Sequence, residues 1–360
     1  MGFIRVFIDI ILATSIELWT HNNLKIIIRK YHLISYIMPI ENKKIFIFGG
    51  TGTIGRQLIK KYIINNFIIN YSRDEKKHWE LDSTFESENL KHIIGDIINY
   101  ENIKTSLVRE NPNIIIITSA LKHIDRCEYS CGESLNTNII GVKNIVDCIE
   151  NNKEKLKNLE KVIFISTDKA CNPVSVYGIC KSLAEKIVTE KSKFVKDIKF
   201  LCVRFGNVLN SSGSILPMLH RMGEDKNIQY FKLTHTAMTR FIISINDAIE
   251  LIQHAILYGS SGDVIVPKLK SANITHLIEI FSEIYNKPIK IVGLRSGEKM
   301  YETLINDTES MRATETQQYY YIKPQYLGTI LNEHSTEYTS RQDIMSKEEL
   351  YAYLKNLDLI

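Results

Sequence analysis

Tyr177 and Lys181 stand four residues apart in the run Tyr177-Gly178-Ile179-Cys180-Lys181, so a helix through them projects both side chains from one face. An ammonium beside a phenol favours the phenolate, which brings a group of free pKa ~10 toward neutrality and makes it a usable base. Such a base can take the proton of an alcohol whose carbon gives up hydride. Just upstream, Ser166-Thr167-Asp168-Lys169 ends eight residues before the tyrosine. It adds a third hydroxyl on Thr167 and the adjacent carboxyl and amine of Asp168 and Lys169. Elsewhere such a couple is often only an ion pair at a strand end, and a lone Tyr-x-x-x-Lys is usually surface. Their place in the chain gives them weight.

That place is set by a phosphate-binding loop and the strands around it. After an apolar run at 44–48 comes Gly49-Gly50-Thr51-Gly52-Thr53-Ile54-Gly55, leading into a helical segment. Glycines let the backbone turn tightly and approach a pyrophosphate, and the free N–H groups of the helix start attract its charge. The second strand ends Tyr71-Ser72-Arg73-Asp74. An acid there would hold a ribose hydroxyl, whereas a basic residue accommodates an extra phosphate. Ser72 and Arg73 come first, which favours NADP; Asp74 lies at about the spacing of a ribose acid, and a solvated charged turn is the plain alternative. Asp96, after the third strand, is placed for the adenine end or for a helix cap.

Short β-rich runs alternate with helix-period stretches from residue 43 onward, as in a parallel sheet with crossover helices. Strands are expected at 45–48, 67–71, 92–94, 114–118, 162–166, 200–204 and 264–266, most of them continuously apolar, as strands buried on both faces are. The fold class is α/β: a doubly wound parallel-sheet Rossmann fold over 38–206, with a return strand near 262–267 and a smaller, mainly substrate-binding lobe over 207–360. Residues 1–37 read as an extension, because Arg5, Asp9 and Glu17 interrupt the apolar stretch too early for a membrane span and Met38 lies just before the first strand. With 45 basic and 41 acidic residues the net charge is +4, spread without a Lys/Arg block, so nucleic acid is not expected as a partner. Cysteines 127, 131, 148, 171, 180 and 202 are scattered as buried thiols of a reducing, cytoplasmic setting would be. Only Cys127 and Cys131 are close, and without a second ligand pair no metal is expected.

Together these residues resemble the extended short-chain dehydrogenase/reductases. Within them the Thr167-Asp168-Lys169 run is similar to nucleotide-sugar 4,6-dehydratases acting on UDP-N-acetylglucosamine. The likeness continues through Ser119-Ala120-Leu121-Lys122-His123, Arg204-Phe205-Gly206-Asn207-Val208-Leu209, Met238-Thr239-Arg240-Phe241 and Arg295-Ser296-Gly297-Glu298-Lys299. The resemblance implies oxidation at carbon 4 by NADP+, loss of water across carbons 5 and 6, and return of hydride to carbon 6. It makes Lys169 the base and Asp168 the acid of the elimination, with Lys181 and the nicotinamide expected to depress the Lys169 pKa. Cofactor contacts extend to Thr51, Thr53, Ile54, Ile97, Ser119, Ala120 and Lys122. Asn207, Gly213, Ser214, Arg240 and Arg295 would hold the substrate, the two arginines as forks for its diphosphate, with Glu298 on a ribose hydroxyl and Lys122 within reach. The length is similar to that of the short, carbon-5-inverting members. A homo-oligomer is expected. The rivals are a retaining dehydratase, a 4-epimerase, which needs no Asp168–Lys169 couple, and a non-catalytic NADP-binding regulator.

Overall fold

Six strands alternate with helices along the first half of the chain. In the computed structural model, which describes residues 40–294, 297–328 and 336–360, they are β1 (Lys44–Phe48), β2 (Phe67–Ser72), β3 (Leu90–Ile94), β4 (Ile114–Ile117), β5 (Lys161–Ile165) and β6 (Lys199–Val203). Each matches an expected apolar run to within two residues. All pair in parallel, in the order β3-β2-β1-β4-β5-β6. β4, four successive isoleucines, is buried throughout, and β1, β5 and β6 are buried at every residue but the first. That burial on both faces is why their sequences run apolar without alternation. The chain order reverses between β1 and β4, so their carboxyl ends diverge into a crevice where α/β sheets bind ligands. The extension 1–37 lies outside the described residues.

Beyond β6 the sheet continues as foreseen with Val264–Pro267, parallel to β6. It then gains two antiparallel strands that the sequence pattern did not announce, Tyr319–Ile322 and Ala313–Glu315. The helix Ile245–Tyr258 packs on the helix Thr53–Tyr62 and on β5 and β6. Much of 245–322 therefore builds the main sheet layer. The remaining C-terminal segments gather round a second core that includes Leu216, Leu219, Phe231, Leu277, Phe281 and Leu350, each such burial contributing ~1.5–3 kcal/mol.

Two local choices set the site. After β5 the chain makes a short 3₁₀ turn, Asp168–Ala170, capped by the Thr167 hydroxyl, which accepts from the Lys169 N–H. The helix Val176–Glu190 follows, its start capped by Ser175, which accepts from the Gly178 N–H at 3.1 Å. Tyr177, Lys181, Ala184 and Val188 share its buried face. Gly178 permits the contact between the two elements: a Cβ there would lie 2.4 Å from the Lys169 carbonyl oxygen.

Candidate active site

A cleft of about 1070 Å³ lies at the carboxyl ends of β1, β4, β5 and β6, lined by residues 51–56 after β1, 120–124 after β4, Ser166, Thr167 and Lys169 after β5, and 205–209 after β6. Tyr177, Lys181, Gly213, Ser214, Arg240, Gly297, Glu298, Lys299 and Glu302 complete it. The sequence had assigned most of these residues to one site, and the fold brings them together. Arg295 lies outside the described residues.

The glycine loop fits a dinucleotide. Gly49 has φ +90°, and a Cβ on it would lie 2.7 Å from the Ser119 nitrogen, so protein packing demands that glycine. A Cβ on Gly52 would meet only the Gly49 carbonyl, at 3.4 Å. Packing within the chain does not require Gly52, whereas a pyrophosphate against the loop would. The helix it opens has no side-chain cap and no acid in its first turn, which leaves its N–H groups and dipole for an anion. The buried Ser119 hydroxyl beside the loop has no partner.

At the adenine end the assignments divide. Arg73 is exposed and pairs with Asp96 at 3.4 Å. Asp74 caps the next helix and pairs with Lys77, so the ribose-acid alternative is occupied by a structural role. The buried Ser72 hydroxyl meets His78 Nε2 at 2.5 Å and Asn70 Oδ1 at 3.2 Å, and like Arg73, Asp96 and Ile97 it lies outside the lining of the cleft. Ile97 is buried, and Asp96 Oδ1 accepts from the Ile98 N–H. Lys122 donates to the Ser212 carbonyl at 2.6 Å, and the Ser212 N–H donates to Thr53 Oγ1 at 3.2 Å, so the segment before Gly213 bridges the loops after β1 and β4.

In the reacting centre Lys169 Nζ donates to Asp168 Oδ1 at 2.9 Å and to Asn207 Oδ1 at 3.0 Å. Asp168 is fully buried behind Lys169 and Thr167, whose hydroxyl also donates to Oδ1 at 2.9 Å. Its Oδ2 has no hydrogen-bond partner among the described residues. The expected depression of Lys169 is corrected. Burial acts to lower its pKa, but the charges of Asp168 and Glu302 outweigh that and hold the ammonium above its ordinary value, Arg240 opposing. Tyr177 is likewise raised, first by burial and then by the Asp168 charge, with only a hydrogen bond from Thr167 working the other way. Lys181, expected to acidify that phenol, donates instead to the Ile165 carbonyl at 2.5 Å and lies 3.8 Å from the centre of the Phe164 ring. Burial brings it down to about 7.

Arg240 lines the cleft; it is buried and donates to the backbone carbonyls of Thr239 at 2.8 Å and Lys299 at 2.9 Å, so part of its fork pins the segment after Gly297. Ser214 keeps a buried, unpartnered hydroxyl at the start of the helix Ile215–Glu224. One functional candidate escaped the sequence reading. Glu302, 3% exposed, sits 3.6 Å from Lys169 Nζ. Its signal was an acid immediately before the apolar strand Thr303–Ile305, easily passed over beside Glu298.

Residues 45–324 match the family described as polysaccharide biosynthesis protein. The chain belongs to that family. It is 35% identical over 290 residues to a UDP-N-acetylglucosamine 4,6-dehydratase (inverting) of Campylobacter jejuni, 79% of this chain and 84% of that one. It is 31% identical over 344 residues to a UDP-glucose 4-epimerase of Rickettsia bellii, covering 89% and 97%. A solved structure of Pen from Bacillus thuringiensis superposes with a TM-score of 0.82 at 30% identity, over 90% of this chain and all of that one. The family member is thus an enzyme of the nucleotide-sugar dehydratase and epimerase type, on an extended short-chain dehydrogenase/reductase fold.

Proposed function

We propose that the chain is an NADP-dependent UDP-N-acetylglucosamine 4,6-dehydratase that inverts carbon 5, giving a 4-keto-6-deoxy sugar of the L series. One observation carries the reading: the Lys169 ammonium, bonded to the Asp168 carboxylate, lines the same cleft as Tyr177, Thr167 and the glycine loop. An epimerase needs the tyrosine and loop but gains nothing from that couple. A bound nicotinamide dinucleotide would accept hydride from carbon 4 and return it to carbon 6. Tyr177 takes the carbon-4 hydroxyl proton, with Thr167 orienting it and Lys181 supplying positive charge once ligands bridge them. The ketone acidifies the carbon-5 proton; a shift of one proton from the Lys169 ammonium to the Asp168 carboxylate along their hydrogen bond leaves a neutral amine that removes the carbon-5 proton and a neutral acid that protonates the departing carbon-6 hydroxyl past Thr167, which returns the couple to its starting form. Asn207, Gly213, Ser214 and Glu298 hold the nucleotide sugar, joined by Arg295.

Incubation with UDP-N-acetylglucosamine and no added reductant is expected to yield a keto sugar that takes up deuterium at carbon 5 in heavy water. A C4 epimer without exchange at carbon 5 would give the site to an epimerase; a retained configuration would make it a retaining dehydratase; cofactor binding without turnover would leave a regulator. The NADP preference rests on exposed Arg73 beside Asp96. Arg73→Glu is expected to weaken NADP by roughly tenfold or more and NAD little, since the acid side of this position serves the unphosphorylated ribose. Equal effects on both would remove the preference. The six free thiols accord with a cytoplasmic enzyme, and exposed Tyr129, Leu135, Ile179 and Leu183 on neighbouring helices support a homo-oligomer, which light scattering tests.

A further inference from the structure

The Asp168–Lys169 couple has a third member. Glu302 borders the cleft just before the strand Thr303–Ile305. Its Oε1 lies 3.6 Å from Lys169 Nζ and 3.8 Å from Arg240 Nε, its Oε2 lies 3.6 Å from Lys299 Nζ, and Oε2 accepts no hydrogen bond. Three cations thus surround one buried carboxylate, and none is close enough to bond it well. For stability alone that is a poor arrangement, because a buried carboxylate is costly unless donors satisfy it.

For Lys169 the arrangement has a use. Two of its three N–H donors are spent on Asp168 and Asn207. The Asp168 carboxylate attracts the ammonium, and Arg240, on the strand Thr239–Ile243, repels it. Glu302, which lines the cleft together with Lys169, is the second attracting charge. We propose that Glu302 is a positioning residue for Lys169: 3.6 Å from the ammonium and on the same wall, it holds Nζ at the cleft until the hexose binds. The inference rests on the dehydratase reading for the step it serves, the proton transfer at carbon 5. The groups facing Lys169 are Asp168 from its own turn, Asn207 from the strand Asn207–Val208, Arg240 from Thr239–Ile243 and Glu302. Removing Glu302 leaves one carboxylate against burial and Arg240, and the amine then gives up its proton at lower pH.

Glu302→Gln keeps the volume and removes the charge. It is expected to lower kcat for keto-sugar formation by roughly 10–100-fold with KM little changed. The alkaline limb of the kcat profile moves to lower pH. The Lys169 amine, followed by NMR of protein labelled at the lysine ε-carbon and assigned with Lys169→Met, titrates at lower pH than in the parent. Glu302→Asp, which draws the same charge back by one methylene, gives an intermediate shift and decides the matter if Glu302→Gln does not fold. An unmoved Lys169 titration, or a rate loss with an unshifted profile, would overturn the proposal. A parent chain that forms no keto sugar ends the dehydratase reading, and the lysine titration still decides whether Glu302 governs Lys169.

Discussion

Two buried charge clusters lie on either side of the 3₁₀ turn after β5, and they are built on opposite principles. In one, Arg204 spends all five of its donors: two on Glu185, two on Glu309 and one on the Leu304 carbonyl, at 2.6–3.0 Å. Burial alone would raise Glu309, but the Arg204 charge and its hydrogen bonds bring it down to about 2. In the other, one oxygen of Asp168 and one of Glu302 accept no hydrogen bond among the described residues, and although Lys169 holds Asp168 at 2.9 Å, the cations Lys169, Arg240 and Lys299 stand 3.6–3.8 Å from Glu302. The first does not line the cleft and ties the end of β6 to the helix Val176–Glu190 and the turn Asp307–Ser310. The second faces the cleft with polar capacity in reserve. A satisfied cluster holds a shape, and an unsatisfied one can accept a proton or a substrate.

The contrast can be broken by truncating each cluster at its cation. Lys169→Ala is expected to cut turnover by roughly 10²–10⁴-fold, the cost of losing a general base, while cofactor binding survives. Its unfolding free energy should move less than that of the satisfied-cluster variant, and a rate near that of the parent would remove Lys169 from the elimination. Arg204→Met strands two carboxylates in the interior and is expected to cost about 3–5 kcal/mol in chemical denaturation. A cost no greater than that of Lys169→Ala would erase the distinction between the clusters.

The smallest effect sharpens the comparison through pH. Glu309 ionises at about 2 in the folded chain against an ordinary 4.5, so the unfolded state binds more protons between those values. Its stabilisation is complete above about pH 4.5 and is lost as pH falls toward about 2. Urea unfolding across that window is expected to show a shallower acid loss in Glu309→Gln than in the parent. Parallel slopes would mean that Arg204 does not hold Glu309 as its geometry indicates.

What the sequence could disclose was whatever is written locally. Strands β1 to β6 are continuous apolar runs, the glycine loop is contiguous, and Tyr177 and Lys181 are one helical turn apart, so each could be read from neighbours alone. The outer strands Tyr319–Ile322 and Ala313–Glu315 escaped because they are short and half exposed, the first with tyrosines where a core strand carries isoleucine. The charge balance escaped for a different reason. Lys169 meets Arg240 and Glu302 only through folding, across 71 and 133 residues of chain, and the two act on it in opposite senses. Spacing suggested that Lys181 would govern Tyr177, yet the ammonium found a backbone carbonyl and a ring face instead. Similarity of motif likewise pointed Arg240 at a diphosphate, without showing that two carbonyls already claim part of its fork.

Where Gly178 passes the Lys169 carbonyl, one hydrogen atom acts as the spacer between the helix that carries Tyr177 and the turn that carries Lys169. Any side chain would have to retreat by roughly an ångström to reach ordinary contact, carrying Tyr177 with it. The phenol and the amine therefore share a single ruler, and a displacement of one is measured at once by the other.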